Sequence, residues 1–106
     1  YRHHATERLS IKVSELSGRI GVTPKTVLIR ERKQRWGSCD ASGALRLNWR
    51  IIQAPPTLID YVIAHELIHI QHPNHSPTFW ANLGRVMPDY EQRRETLRKI
   101  GAGLVW

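Results

Sequence analysis

The stretch TLIDYVIAHELIHIQH, residues 57–72, decides how the rest of the chain is read. Its apolar positions Leu58, Ile59, Val62, Ile63, Leu67 and Ile70 recur at helical spacing over a wide face, so a central, largely buried helix is expected. Pro56 suits an early helical position, where its missing N–H is not needed, and Pro73 disfavours helical geometry at the residue before it. The helix should therefore run from about residue 56 to residue 71. Within it, His65-Glu66-Leu67-Ile68-His69 interrupts the apolar run. A four-residue step turns about 400° around a helix, so both imidazoles leave one face one turn apart and can meet a single cation. Left without partners in a core, two His and a Glu would cost roughly several kcal/mol of desolvation. A metal ion removes that cost. Neutral imidazole suits zinc, and a catalytic zinc uses three protein ligands with the fourth position left for water, which Glu66 lies close enough to reach. One Zn2+ is the expected cofactor.

The third ligand must come from beyond the helix. His75 is the first choice, because the Pro73-Asn74 turn can swing the chain back towards the metal. His72 would share the face if the helix continued past Pro73, and Glu91 or Glu95 on the last helix are further candidates, since a carboxylate from a later helix also ligates zinc.

Around this helix the chain reads as α+β. Leu9, Val13, Leu16 and Ile20 form the stripe of an N-terminal amphipathic helix from about His4 to Arg19, ended by Gly18 and Gly21. Val27 to Glu31 and Ala44 to Ile52 read as strands, and the turn formers Gly37, Asp40, Ser42 and Gly43 between them suggest an antiparallel hairpin with an irregular connection. After the central helix, Ser76-Pro77 opens a short helix that Pro88 closes, and a last helix is expected from about Asp89 to Ile100. Helix, small antiparallel hairpin, central helix and two C-terminal helices make one domain spanning residues 1–106, which is about what a single core of this length supports.

Composition narrows the class of function. The 106 residues carry +7, with sixteen Lys and Arg, twelve of them Arg, against nine Asp and Glu. Such a balance admits a nucleotide or nucleic-acid partner, because guanidinium pairs bidentately with phosphate, but it also describes an ordinary solvated surface. No apolar run approaches the roughly 20 residues of a membrane span. With one cysteine, Cys39, no intrachain disulfide forms, which fits a reducing cytoplasm. Cys39 reads as a small packing residue, with a fourth-ligand role as the alternative. Trp36, Trp49, Phe79, Trp80 and Trp106 read as core or clamp residues rather than as base-stacking platforms.

RWGSC (35–39), LRLNWRII (45–52), AP (54–55), IDYVIAHELIHI (59–70), NHSPTFW (74–80) and MPDY (87–90), in that order and close spacing, resemble the YgjP-like metallopeptidase domain. That is a zincin-type family distantly similar to the SprT and WLM proteases. The resemblance implies a minimal zincin-like domain, His65, His69 and His75 as zinc ligands, and Glu66 as catalytic base. It also implies that the chain is the C-terminal part of a longer protein. His72 stands where the related metzincin pattern HExxHxxGxxH has Gly, so the turn after the helix must be made differently here.

The expected activity is that of a zinc-dependent hydrolase, first a metallopeptidase acting on peptide or protein. In that reading the strand around Leu45 to Trp49 aligns an extended substrate by edge pairing, Asn48 holds its backbone, and Tyr90 or His72 donates to the developing oxyanion. The alternative is a metal-dependent nucleoside-triphosphate pyrophosphatase, with Arg35, Arg46 or Arg50 neutralising the phosphates. A DNA-associated protease module using the basic face is the third reading.

Overall fold

The computed structural model describes residues 2–30, 37–40, 42–48, 51 and 54–100. Four helices and three strands follow in the order α1 (Arg2–Ile20), β1 (Thr26–Arg30), β2 (Gly37–Cys39), β3 (Ala44–Asn48), α2 (Pro56–Gln71), α3 (Pro77–Val86) and α4 (Tyr90–Ile100). The α+β reading therefore holds, and so do the helix positions.

α2 is the centre of the molecule. Every residue from Tyr61 to Ile68 is buried, because α1, α3, α4, β2 and β3 all pack on it. A helix covered from so many sides must be apolar nearly all round, which is why its sequence carries so little polar surface. Its start is set by Pro55, whose carbonyl accepts from the amides of Leu58 and Ile59, and its end by Pro73, which leaves His72 at φ −130° and ψ 87°. α1 lays Leu9, Val13 and Leu16 on the same core and is tied to α2 by Lys12 Nζ, 2.9 Å from Asp60 Oδ1. Gly21 at φ 85° takes the left-handed position that closes α1, its amide donating to the Ser17 carbonyl at 2.8 Å.

The sheet differs from the expected hairpin. Its strand order is β1-β3-β2, with β1 parallel to β3 and β2 antiparallel to it. The turn formers do close a hairpin, but between β2 and β3. Asp40 accepts from the amides of Ser42 and Ala44, and Gly43 turns at φ 91°. The Ser42 hydroxyl, the Ala44 amide and the Arg46 guanidinium together hold the Asp40 carboxyl down at about 2. Residues 31–43 are long enough to return the chain for a parallel pairing, which two adjacent hairpin strands would not need. Leu45 and Leu47 face the core while Arg46 points the other way, as the two-residue period of a strand requires.

α3 begins at Ser76, whose hydroxyl accepts from the Phe79 amide, with Pro77 at its first turn. Phe79 and Leu83 enter the core from α3, and Leu97 from α4. Arg93 fixes α4 to the start of α2 by donating to the Thr57 carbonyl at 3.0 Å while pairing with Asp89. Among the described residues no helix is long and apolar enough to cross a membrane.

Candidate metal centre

His65 and His69 project from one side of α2, as their spacing requires, and the turn after Pro73 carries His75 back to them. The three imidazoles each place one ring nitrogen within 4.8 Å of those of the other two. They are graded in exposure: His65 is 4% exposed, His69 half-buried and His75 exposed, so the cluster opens from the core to the surface. Phe79 packs beneath all three, its ring centroid 5.1 Å from that of His65, 4.5 Å from His69 and 4.9 Å from His75. An incompressible aromatic at that position holds the rings in place.

The chemistry of this donor set fits a zinc-type ion. Burial drives the His65 pKa down to about 3, with His75 and Arg94 adding to the effect, so its ring is neutral at physiological pH. Burial and His65 also lower the pKa of His69, against the opposing pull of Glu66 and the His72 carbonyl. The Nδ1–H of His69 donates to the His72 carbonyl at 3.2 Å, which leaves its Nε2 with a free lone pair. That Nε2 lies 2.7 Å from His75 Nε2. Two such nitrogens so close need a proton between them or a cation that takes both lone pairs.

Glu66 is 4% exposed beside the cluster, with an oxygen 3.3 Å from His65 Nδ1. β2 covers its other flank: a Cβ built on Gly37 would lie 3.4 Å from Glu66 Cγ. Burial first, then Glu66, pushes the Cys39 thiol up to about 12, so it stays protonated. Among the described residues Cys39 is not part of the metal-ligating group.

The other candidates are dispersed. His72 caps α2 and its Nε2 accepts from the Asn82 side-chain amide, which directs the ring to α3 and away from the three-His cluster. Glu91 and Glu95 stand outside that cluster but line a cleft of about 700 Å³ together with His75, Trp80, Tyr90 and Arg94. In this cleft Tyr90 stacks on Trp80 at 5.4 Å and 17°, and Arg94 lies over the Trp80 ring at 5.1 Å. Burial, then Glu91, raises the Tyr90 pKa, so the phenol remains a donor. Trp80 and Arg94 were not expected at the site. The four-residue step from Tyr90 to Arg94, which puts both on one side of α4, is the signal that would have placed Arg94 there.

The strand expected to align a substrate takes a different place in the sheet. β3 is the middle strand among the described residues, paired with β1 along Ala44–Asn48 and with β2 over Leu45–Leu47, so over Leu45–Leu47 neither edge is open to an extended substrate. Asn48 is 2% exposed, at the end of β3. Arg46 is engaged by Asp40 at 3.0 Å. Arg35 and Arg50 lie outside the described residues, as do Trp36, Trp49 and Trp106. Of the basic residues of α4, Arg93 is paired with Asp89, Arg98 with Glu95, and Arg94 lies over the Trp80 ring.

Comparison with known proteins agrees with this geometry. No curated protein matches the chain at a significant level. Among solved structures, the metallopeptidase zymogen of Pyrococcus abyssi abylysin superimposes with a TM-score of 0.77 at 19% identity, covering 92% of this chain and 99% of that one. The metallopeptidase zymogen of Methanocaldococcus jannaschii jannalysin does so with a TM-score of 0.75 at 22% identity, covering 87% and 95%. These likenesses establish the zincin-like metallopeptidase fold. The model of the YgjP-like, metallopeptidase domain family matches residues 1–100. The chain therefore belongs to the YgjP-like metallopeptidase family and is a metallopeptidase-type hydrolase.

Proposed function

We propose that this chain hydrolyses peptide bonds with one zinc ion held by His65, His69 and His75 and with Glu66 as general base. The observation that carries the reading is the convergence of three imidazole nitrogens within 4.8 Å of one another beside a buried glutamate. When bound, zinc supplies a polarised carbonyl and a water whose pKa is lowered to about 7.

The protein's own groups supply the rest. Glu66 accepts the proton of the attacking water at a carboxylate oxygen and returns it to the departing amine nitrogen. Tyr90, protonated and lining the cleft with His75, donates to the oxygen that gains negative charge. An extended substrate pairs with β2, whose outer edge meets no strand among the described residues and whose Gly37 sits against Glu66. The cleft walled by Trp80, Tyr90 and α4 then receives a substrate side chain beside His75. A lone cysteine kept as a thiol fits action in a reducing compartment such as the cytoplasm.

The test is the Glu66→Gln variant of the zinc-loaded protein on an unfolded protein substrate, scored by new peptide ends. Hydrolysis should fall by at least about 10³-fold with zinc content unchanged. Undiminished cleavage by the variant rejects the reading.

A further inference from the structure

Trp80 and Gly84 lie one turn apart on α3, and Tyr90 and Arg94 one turn apart on α4, so each pair shares a side of its helix. The two pairs meet. The Tyr90 ring stacks on the Trp80 indole with centroids 5.4 Å apart and rests at Gly84, where a Cβ would stand 3.4 Å from Tyr90 Cε1. One turn further along α4, Arg94 Cζ lies 5.1 Å from the centre of the same indole, and that indole is 5.2 Å from the His75 ring. Arg94 and a member of the three-His cluster thus share one aromatic neighbour and line one cleft.

The cation laid on this ring has no acid of its own. Arg93 is paired with Asp89 and Arg98 with Glu95, yet Arg94 makes no ion pair among the described residues, although Glu91 and Glu95 line the same cleft. The ring holds the long side chain in place and lowers the cost of ordering it when something binds. It does not neutralise the charge, and it leaves the fork of N–H donors for a planar acceptor with two oxygens. A cleft of about 700 Å³ admits a side chain or a chain end.

We propose that Arg94 binds a carboxylate of the substrate, either the free C-terminal carboxylate of a peptide or the side chain of an Asp or Glu seated in the cleft. The proposal rests on the reading of the chain as a zinc peptidase and names the class of substrate its cleft selects. Glu91, the other charge of the cleft without an ion pair among the described residues, opposes an anion there and so limits the preference. Trp80 has a matching part: without its ring the guanidinium loses its rest, and the preference should weaken though the charge remains.

The experiment measures binding separately from hydrolysis. Zinc-loaded Glu66→Gln protein, alone and with Arg94→Ala, Arg94→Lys or Glu91→Gln added, is titrated calorimetrically with short peptides. These carry Ala, Glu or Lys at one varied position and end in a free or an amidated C-terminus. Zinc content and melting temperature are recorded for each variant. Peptides with a Glu or a free C-terminus should bind about 10- to 100-fold more tightly than the neutral amidated one, the range of a charge-assisted hydrogen bond. Arg94→Ala should abolish that difference while leaving the neutral peptide, the zinc content and the melting temperature unchanged, Arg94→Lys should keep part of it, and Glu91→Gln should widen it. A preference confined to the free C-terminus makes the carboxylate that of the chain end, and one shown by the amidated Glu peptide makes it a side chain. Equal affinity across the panel, a preference that survives Arg94→Ala, or tightest binding of the Lys peptide overturns the proposal, as does Arg94-dependent binding of a nucleoside triphosphate with no preference among the peptides. Wild-type hydrolysis of the same panel separates the two readings. Arg94-dependent binding without any cleavage rejects the peptidase and leaves the carboxylate site standing, whereas Glu66-dependent cleavage without the preference rejects the site alone.

Discussion

The Nδ1–H of His69 donates to the backbone carbonyl of His72 across 3.2 Å, so the residue that ends α2 also orients a ring of the three-His cluster. The bond exists because Pro73 stops the helix and turns that carbonyl out of the helical register. A Pro73→Ala variant should let α2 extend, lose the bond and displace His75. Zinc affinity, measured by competition with a chelator, is expected to fall about 10- to 100-fold. Unchanged affinity would show that the turn does not govern the ligand.

The identity of the third ligand separates His75 from the carboxylates across the cleft. His75→Ala should lower the metal bound per chain well below the wild-type level, while Glu91→Ala and Glu95→Ala keep that level, because neither lies in the cluster. Elemental analysis of the purified variants decides the matter, and loss of metal in Glu91→Ala or Glu95→Ala would reassign the ligand.

His65 gives the metal-free protein a distinctive response to acid. An unfolded chain takes up a proton at this residue near pH 6.5, whereas the folded protein does not until about pH 3. The stabilisation linked to His65 is thus complete above about pH 6.5 and is lost as the pH falls towards 3, at up to about 1.4 kcal/mol per pH unit. Denaturant unfolding of chelator-treated protein across this range should show that slope, and His65→Phe should flatten it. Parallel curves for the two proteins would contradict the burial of a neutral imidazole.

Tyr90 stacks on Trp80 within the cleft, so removing its hydroxyl leaves the ring packing intact. Tyr90→Phe is expected to lower kcat by about 10²-fold with little change in KM, the signature of a donor used in the transition state. A change confined to KM would make Tyr90 a wall of the substrate cleft instead.

Much of the site was legible without the fold because its key spacing is local. His65, Glu66 and His69 lie within two turns of one helix, and helical geometry alone puts the two imidazoles on one side of α2. The boundaries of α2 and α3 were equally readable, since Pro56, Pro73, Ser76 and Pro77 act through the backbone of their immediate neighbours. Strand direction was not legible. Val27 to Arg30 and Ala44 to Asn48 carry the same alternation whether they pair parallel or antiparallel, and the choice goes with β2 taking the antiparallel place beside β3.

What the sequence by itself determined, then, was the central helix, its paired histidines and the glutamate between them, because each follows from interactions within a few residues. The tertiary structure alone decided that β2 lies on Glu66, that β3 is enclosed between two strands, and that α3 and α4 wall a cleft beside His75 with Trp80, Tyr90 and Arg94. These are contacts between segments distant along the chain. Which of them form is settled by the packing of the whole core around α2, and no local pattern of residues encodes it.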